Sequence, residues 1–440
     1  MTTPRLSKLR MFWDTVGRPG SMYFMAEALG KGGTYLLFIW LATQMTVEDF
    51  GFLNVFISLL TLLGVVVGLG LPDGVVRFHF RDHGLAPAVT AAMILPWVGA
   101  AILVLVLLPW RGIVGLVLNV PGWLPVLAAG GAALVAIRQS WLGLLRARRE
   151  TGGYLVVRLL EPLLFLAFLV FLIILNFELG YRSTIAAYVT GLGIVALLGV
   201  ARAFRGFGFE WHPPTLRPLA RFSLPLVAHS FAMTGLALFD QVVLQQLFGA
   251  EGTGIYAFAY RFGMAMSLVA LAFSAVWGPL ALERLRDGKE DQLVPLAQQS
   301  FRALLGSAIL FAWTLPWLAG FLGGERYAEA TSLIPLVVYA YLWLGLYTLA
   351  AVYLVFRNRS ATLALASASA FLLNVVLNYL PIPVWGPLAA AVTTTVCYLL
   401  LALIVWGAMG RDRDALPWGS FAFQSALAGP VILAPSLVIA

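Results

Sequence analysis

Residues 221–261 read RFSLPLVAHSFAMTGLALFDQVVLQQLFGAEGTGIYAFAYR, two apolar segments joined at Gly249-Ala-Glu-Gly252. Each segment is long enough to cross a bilayer as a helix, and together they hold one carboxylate, Asp240, and one guanidinium, Arg261. A charge near the centre of a membrane costs roughly 2.5–3.5 kcal/mol on insertion scales. Charges retained there point to work inside the membrane, and the pattern suggests a transport pathway.

The rest of the chain has the same character. It is 61% hydrophobic and 11% charged over 440 residues, with a mean hydropathy of +0.91. A soluble protein of this length is far more polar. Runs of about 20 apolar residues, the length of a spanning helix, fall at residues 20–44, 51–72, 86–109, 123–145, 153–176 and 183–204. They continue at 221–248, 252–282, 296–322, 330–356, 360–381, 386–409 and 418–440. No short alternating strands of the kind that build a barrel interrupt them. The expected fold is an all-α polytopic membrane protein with twelve spans and a thirteenth at the C-terminus.

Charge placement gives the topology. The net charge of +8 suits a nucleic-acid binder by number but not by position. Of the 28 Lys and Arg residues, only Arg111, Arg182 and Arg326 fall in turns on one side, and Lys31, Arg138, Arg158 and Arg261 fall inside spans. All the others lie on the opposite side. Such a bias predicts a multi-pass protein of the cell (inner or plasma) membrane with its N-terminus in the cytoplasm. The basic, aromatic-rich residues 1–19 lack the apolar core of a secretory signal and suit an anionic membrane surface. Cys397 is the only cysteine, which excludes an intrachain disulfide and cysteine-based metal centres. No connection is long enough for a soluble catalytic domain.

A weak repeat runs through the chain. Glu48-Asp-Phe-Gly51-Phe-Leu53 returns as Glu251-Gly-Thr-Gly254-Ile-Tyr256, and Ala186-Ala-Tyr-Val189-Thr190 as Ala389-Ala-Ala-Val392-Thr393. Both pairs are offset by 203 residues and six spans, an even number that preserves direction through the membrane. Two parallel six-helix lobes around a central cavity follow. The expected divisions are a basic N-terminus (1–19), an N-lobe (20–204), a cytoplasmic linker (205–220), a C-lobe (221–409), and a loop with the extra span (410–440). Prolines 96, 162, 225, 279, 316 and 335 fall inside spans, where each is expected to kink its helix.

Several short pieces, in order, carry a resemblance. They are Val47-Glu-Asp-Phe-Gly51, Gly68-Leu-Gly70 with Val76-Arg77, Leu219-Ala-Arg-Phe-Ser-Leu-Pro225, Asp240, Gly254-Ile-Tyr256 and Trp277-Gly-Pro279. Leu373-Asn374-Val-Val-Leu-Asn378 and Gly386-Pro-Leu-Ala-Ala-Ala391 complete the series. Over essentially its whole length the chain resembles the Wzx-type polysaccharide or O-antigen flippases of the multidrug/oligosaccharidyl-lipid/polysaccharide exporter superfamily. The resemblance implies flipping of a polyprenyl-diphosphate-linked oligosaccharide to the outer leaflet for cell-surface polysaccharide synthesis. It also implies coupling to a sodium or proton gradient, no other cofactor, and polysaccharide polymerase and assembly proteins as partners alongside membrane lipids. Such flippases commonly have an even number of spans, whereas this sequence ends in apolar Val438-Ile-Ala440.

Two readings of the intramembrane charges stay open. Lys31, Arg138, Arg158 and Arg261 can form a cationic cavity lining that meets a diphosphate, guanidinium groups matching phosphate oxygens bidentately. Alternatively, local pairs neutralise some of them: Glu27 with Lys31 at i, i+4, and Arg158 with Glu161 at i, i+3. Arg138 has no partner in its own span. Asp240, with Asn374, Asn378, Thr393 and Thr394, offers oxygen ligands for a hard monovalent cation; the competing reading is an ion pair with Arg261. His229 reads as a hydrogen-bonded interior histidine.

A cation-coupled multidrug exporter of the same fold is the main alternative function. Four intramembrane cations against Glu27, Glu161 and Asp240 favour an anionic substrate over a cationic drug. A membrane-embedded polymerase or glycosyltransferase needs acid/base residues at an interface. The turns on the outer side supply only Glu178, Glu251, Glu325 and Glu329.

Overall fold

The structure, a computed structural model, describes residues 18–80, 84–410 and 416–439. Residues 1–17 of the expected basic N-terminus lie outside these, as do Arg81, Arg411 and Arg413. The regular structure of the described residues is helical. The first half comprises α1 (Arg18–Gln44), α2 (Val47–Gly68), α3 (Leu71–His79), α4 (Leu85–Leu107), α5 (Arg111–Leu118), α6 (Trp123–Ala147), α7 (Thr151–Ile174) and α8 (Tyr181–Phe207). The second comprises α9 (Pro213–Gly263), α10 (Ala265–Arg286), α11 (Leu293–Gly323), α12 (Ala328–Phe356), α13 (Ser360–Tyr379), α14 (Ile382–Ala408) and α15 (Trp418–Ile439).

Helix ends follow local chemistry. The Thr46 hydroxyl accepts from the Asp49 amide at 3.1 Å, and Glu48 and Asp49 sit in the first turn of α2, where acidic groups oppose the helix dipole. The expected second span is divided: Leu69 and Gly70 both adopt left-handed angles and separate α2 from α3. The expected eighth span is divided as well, at Met264 between α9 and α10, and it joins the seventh through a break at Gly249 (φ 69°, ψ −168°). Only a residue without a β-carbon takes that conformation readily, so the chain reverses there within one residue. The backbone stays helical through the six intraspan prolines, and inside α9 and α14 it breaks at Gly249 and Gly386 instead.

Among the described residues, ten helical stretches are long and apolar enough to cross a membrane, residues 213–286 counting as one. α1 is not among them, diluted by Glu27, Lys31 and four glycines.

Successive long helices run up and down. The turns near Val47, Asn119, Gly180, Gly249 and Arg326 gather at one end of the bundle. There the Tyr181 amide donates to Asp49, Gln245 to the Asn119 carbonyl, and Arg326 to the carbonyls of Thr43 and Met45. The α2–α3, α6–α7 and α8–α9 connections lie at the other end, which carries most of the basic residues.

α6 is the packing centre of the first half, lying against α2, α3, α4 and α8. Its buried Ala128, Ala132, Ala133 and Ala136 allow close helix approach where apolar driving force is absent. α12 does the same for the second half through Ile334, Val338, Leu342 and Leu346, against α10, α11, α14 and α15. The main contact between halves is α2 on α9. At its end Gly51 packs on Ala250 and Gly254 on Val47; a β-carbon would fall 1.8 Å and 2.1 Å from the respective carbonyl oxygens. The two contacts are reciprocal under the 203-residue offset, Gly51 mapping to Gly254 and Val47 to Ala250.

Candidate functional site

Between α1, α2, α6 and α7 on one side and α9 and α10 on the other lies a polar cavity. Its central part has a volume of about 290 Å³ and is lined by all four cations expected inside the membrane, Lys31, Arg138, Arg158 and Arg261. Adjoining pockets of about 270 Å³ and 440 Å³ share Gln139 with it and extend past Asp73 and Arg146 to the seam between α1 and α10.

The cations are held differently from the local pairing open in the sequence. Glu27 lies 3.5 Å from Lys31, as its i, i+4 spacing allows, but it also accepts from Arg158 and from the Tyr154 hydroxyl of α7. Glu161 pairs with Arg138 of α6 rather than with Arg158 three residues before it. The expected Arg158–Glu161 pair therefore does not form, and Arg138 is not unpartnered. Packing of α7 between α1 and α6 puts acceptors from neighbouring helices nearer than those along one helix. The Nε atoms of Arg138 and Arg158 are buried without a hydrogen-bond partner.

Arg261 stands apart. It donates to Asn54 Oδ1 at 2.7 Å and its guanidinium lies 4.3 Å above the ring of Phe38. No ion pair among the described residues includes it. The cavity with its adjoining pockets thus presents five cations, Arg146 included, against three carboxylates, Glu27, Glu161 and Asp73. Asn54 and Ser58, which bonds Gln241 at 3.1 Å, tie α2 to α9 beside the cavity. These polar groups in an otherwise apolar span carried the same signal as the charges and could have been found by it. Tyr154 was legible as well, four residues before Arg158.

Asp240 forms no ion pair with Arg261. It is 1% exposed and accepts from the Tyr256 hydroxyl, the Thr394 hydroxyl at 3.2 Å and the Gln241 amide at 2.8 Å. Of the expected oxygen set the structure thus brings Thr394 to the carboxylate. Asn378 donates instead to Asn374 at 3.0 Å, leaving its own Oδ1 buried and without a partner. Thr393 is buried nearby on α14 and shows no hydrogen bond to Asp240 among the described residues. These oxygens suit a small monovalent cation or a proton, and no cluster of three or more His, Cys, Asp or Glu side chains occurs among the described residues. His229 bonds Ser367 at 2.8 Å, the interior role expected of it.

Residues 16–283 match the family of polysaccharide biosynthesis proteins. The chain belongs to this family. No curated protein sequence matches it. Among solved structures, this polysaccharide biosynthesis protein is similar to the lipid II flippase MurJ in an inward closed conformation. The TM-score is 0.69 at 10% identity, covering 95% of this chain and 96% of that one. An inward-facing multidrug resistance MATE family transporter of the MOP superfamily gives 0.64 at 15% identity, with 90% and 95% covered. A MOP superfamily transporter from Pyrococcus furiosus gives 0.55 at 14%, with 91% and 95% covered. The polysaccharide biosynthesis protein is therefore an all-helical, multi-pass membrane protein with the fold of these transporters.

Proposed function

We propose that this protein flips a polyprenyl-diphosphate-linked oligosaccharide from the cytoplasmic to the outer leaflet of the cell membrane by alternating access. The observation that carries the reading is the charge of the cavity, above all Arg261, which faces it without a carboxylate partner. A diphosphate leaving water needs charge-assisted donors in a region of low dielectric, and guanidinium groups supply them. Glu27 and Glu161 position Arg158 and Arg138 and hold back part of their charge.

The reciprocal packing of Gly51 on Ala250 and Gly254 on Val47 supports two lobes, residues 20–204 and 221–409, related by a parallel repeat. In this arrangement their contact closes one end of the cavity and rocking about it opens the other. The N-terminus and the basic end of the bundle are cytoplasmic in this reading. Asp240, with Thr394 and the free Asn378 oxygen, holds the coupling sodium ion or proton. A drug exporter taking organic cations is disfavoured by the same cavity charge.

The test is made in proteoliposomes containing fluorescent polyprenyl-diphosphate sugar, following its passage to the opposite leaflet under an imposed ion gradient. Wild type flips it, and Arg261→Gln slows flipping at least about tenfold, the scale of one lost charged hydrogen bond. Equal rates in wild type and variant would sink the cationic-cavity mechanism. A folded wild type that leaves this lipid in place but expels organic cations would transfer the reading to drug export.

A further inference from the structure

A pocket of about 680 Å³ lies apart from the cavity between the halves. It sits where α6 ends, α7 begins and α8 ends, at the basic end of the bundle. All three helices are long and apolar enough to cross a membrane, so the pocket lies at the level where a bilayer meets water.

Its composition is two-sided. Arg148, Arg202 and Arg205 line it together with a single carboxylate, Glu150. Arg148 lies 3.1 Å from Glu150 and over the ring of Phe207, whereas Arg202 and Arg205 enter no ion pair among the described residues. The rest of the lining is apolar, including Trp141, Leu160, Val156 and Leu198, the last two 61% and 43% exposed. Along the same two helices the apolar surface continues at Leu163 and Leu197, 60% and 59% exposed. The proposed site therefore joins a ligand-sized, positively charged recess to an apolar helix surface suited to hydrocarbon chains.

We infer that this recess binds the headgroup of an anionic glycerophospholipid, with the acyl chains lying on α7 and α8. Two guanidinium groups without carboxylate partners match a phosphodiester. A zwitterionic headgroup would bring its own cation against the three arginines. Basic recesses between membrane helices recognise anionic lipids on these grounds. The inference does not depend on what the cavity between the halves transports, because the pocket lies on the other face of α6–α8.

The test uses the full-length protein in phosphatidylcholine nanodiscs containing a photoactivatable phosphatidylglycerol, with adducts mapped by mass spectrometry. Adducts are expected on residues 151–160 and 198–207, suppressed by unlabelled phosphatidylglycerol but by neither phosphatidylcholine nor inorganic phosphate. In Arg202→Gln/Arg205→Gln they fall about tenfold, while thermal unfolding matches wild type. Should the double variant fail to fold, Arg205→Gln alone is held to a clear loss of adducts. Equal labelling by a photoactivatable phosphatidylcholine, or labelling unchanged in the folded variant, overturns the proposal. Suppression by polyprenyl diphosphate but not by phosphatidylglycerol overturns it too and assigns the pocket to that lipid instead.

Discussion

Gly51 of α2 packs so closely on Ala250 of α9 that a β-carbon would fall 1.8 Å from the Ala250 carbonyl oxygen. The backbone of Ala250 cannot yield as a flexible side chain could, so Gly51→Val forces the two helices apart at this contact. Overpacking of this kind costs about 1–3 kcal/mol. The expected outcome is a lower unfolding temperature in detergent and readier labelling of a cysteine placed at Asn54, in a Cys397→Ser background. Unchanged stability and labelling would show that the seam is looser than the structure has it.

The Arg138–Glu161 pair is the second place where structure and transport can be separated. Both side chains are only about a tenth exposed, at 11% and 13%. Glu161→Gln leaves a mostly buried guanidinium without its counter-charge, a loss of about 3–5 kcal/mol in a fully dry site and less beside a hydrated cavity. The double change Arg138→Met/Glu161→Leu removes both charges and should recover most of the stability. Flipping is expected to stay impaired in the double variant, since one cation has left the cavity. Full flipping in that variant would assign the pair to structure alone. Thermal unfolding alongside the flipping assay reads both.

How much of this was visible in the sequence depends on the interaction. Lys31, Arg138, Arg158 and Arg261 stand out because their spans are otherwise apolar, with Glu27 and Glu161 the other charges in them, and the structure gathers all four cations in one cavity. Their partners were not legible. Glu161 lies within reach of Arg158 by helical spacing, yet the packing of α7 on α6 hands it to Arg138. Asp240 and Arg261 share one stretch of sequence but take separate partners, because the reversal at Gly249 places Tyr256 beside the carboxylate and Asn54 beside the guanidinium. The second span failed where backbone conformation decides it, at Leu69–Gly70, whereas the break at Gly249 falls at the joint expected between the seventh and eighth spans. Hydropathy carries no information about left-handed backbone angles.

Asp73 gives a pH-dependent prediction. It sits in the first turn of α3, outside the ten apolar stretches, and although the residue is partly open to water, desolvation by its surroundings pushes its carboxyl above the ordinary range despite Arg146 and His229 nearby. The folded state then holds this proton to higher pH than the unfolded chain does. Stability falls as pH rises from the ordinary Asp range through the raised value, and stays lower above it. Asp73→Asn removes that penalty, so the variant should unfold at a higher temperature than wild type at pH 7. The difference should vanish below the ordinary Asp range, where both side chains are neutral. A variant less stable at pH 7 would show that the ionised carboxylate is used, through Arg146 or the α3 helix dipole.

Asp240 tests the coupling step. Its carboxylate accepts from Tyr256, Thr394 and the Gln241 amide, and no cationic side chain among the described residues is paired to it, so the proposed mechanism takes a proton or small cation as its counter-charge. Asp240→Asn keeps the volume and most acceptor geometry but cannot bind or release a proton, and it holds a cation weakly. Wild type should flip faster when a sodium or proton gradient is imposed. Asp240→Asn should flip at one rate with or without the gradient. A variant that still responds to the gradient moves the coupling site elsewhere, with the Glu27–Lys31–Arg158 cluster next in line because its carboxylate also borders the cavity. Transport lost altogether, in a variant as stable as wild type, would mean instead that release of the coupling ion is an obligatory step of every cycle.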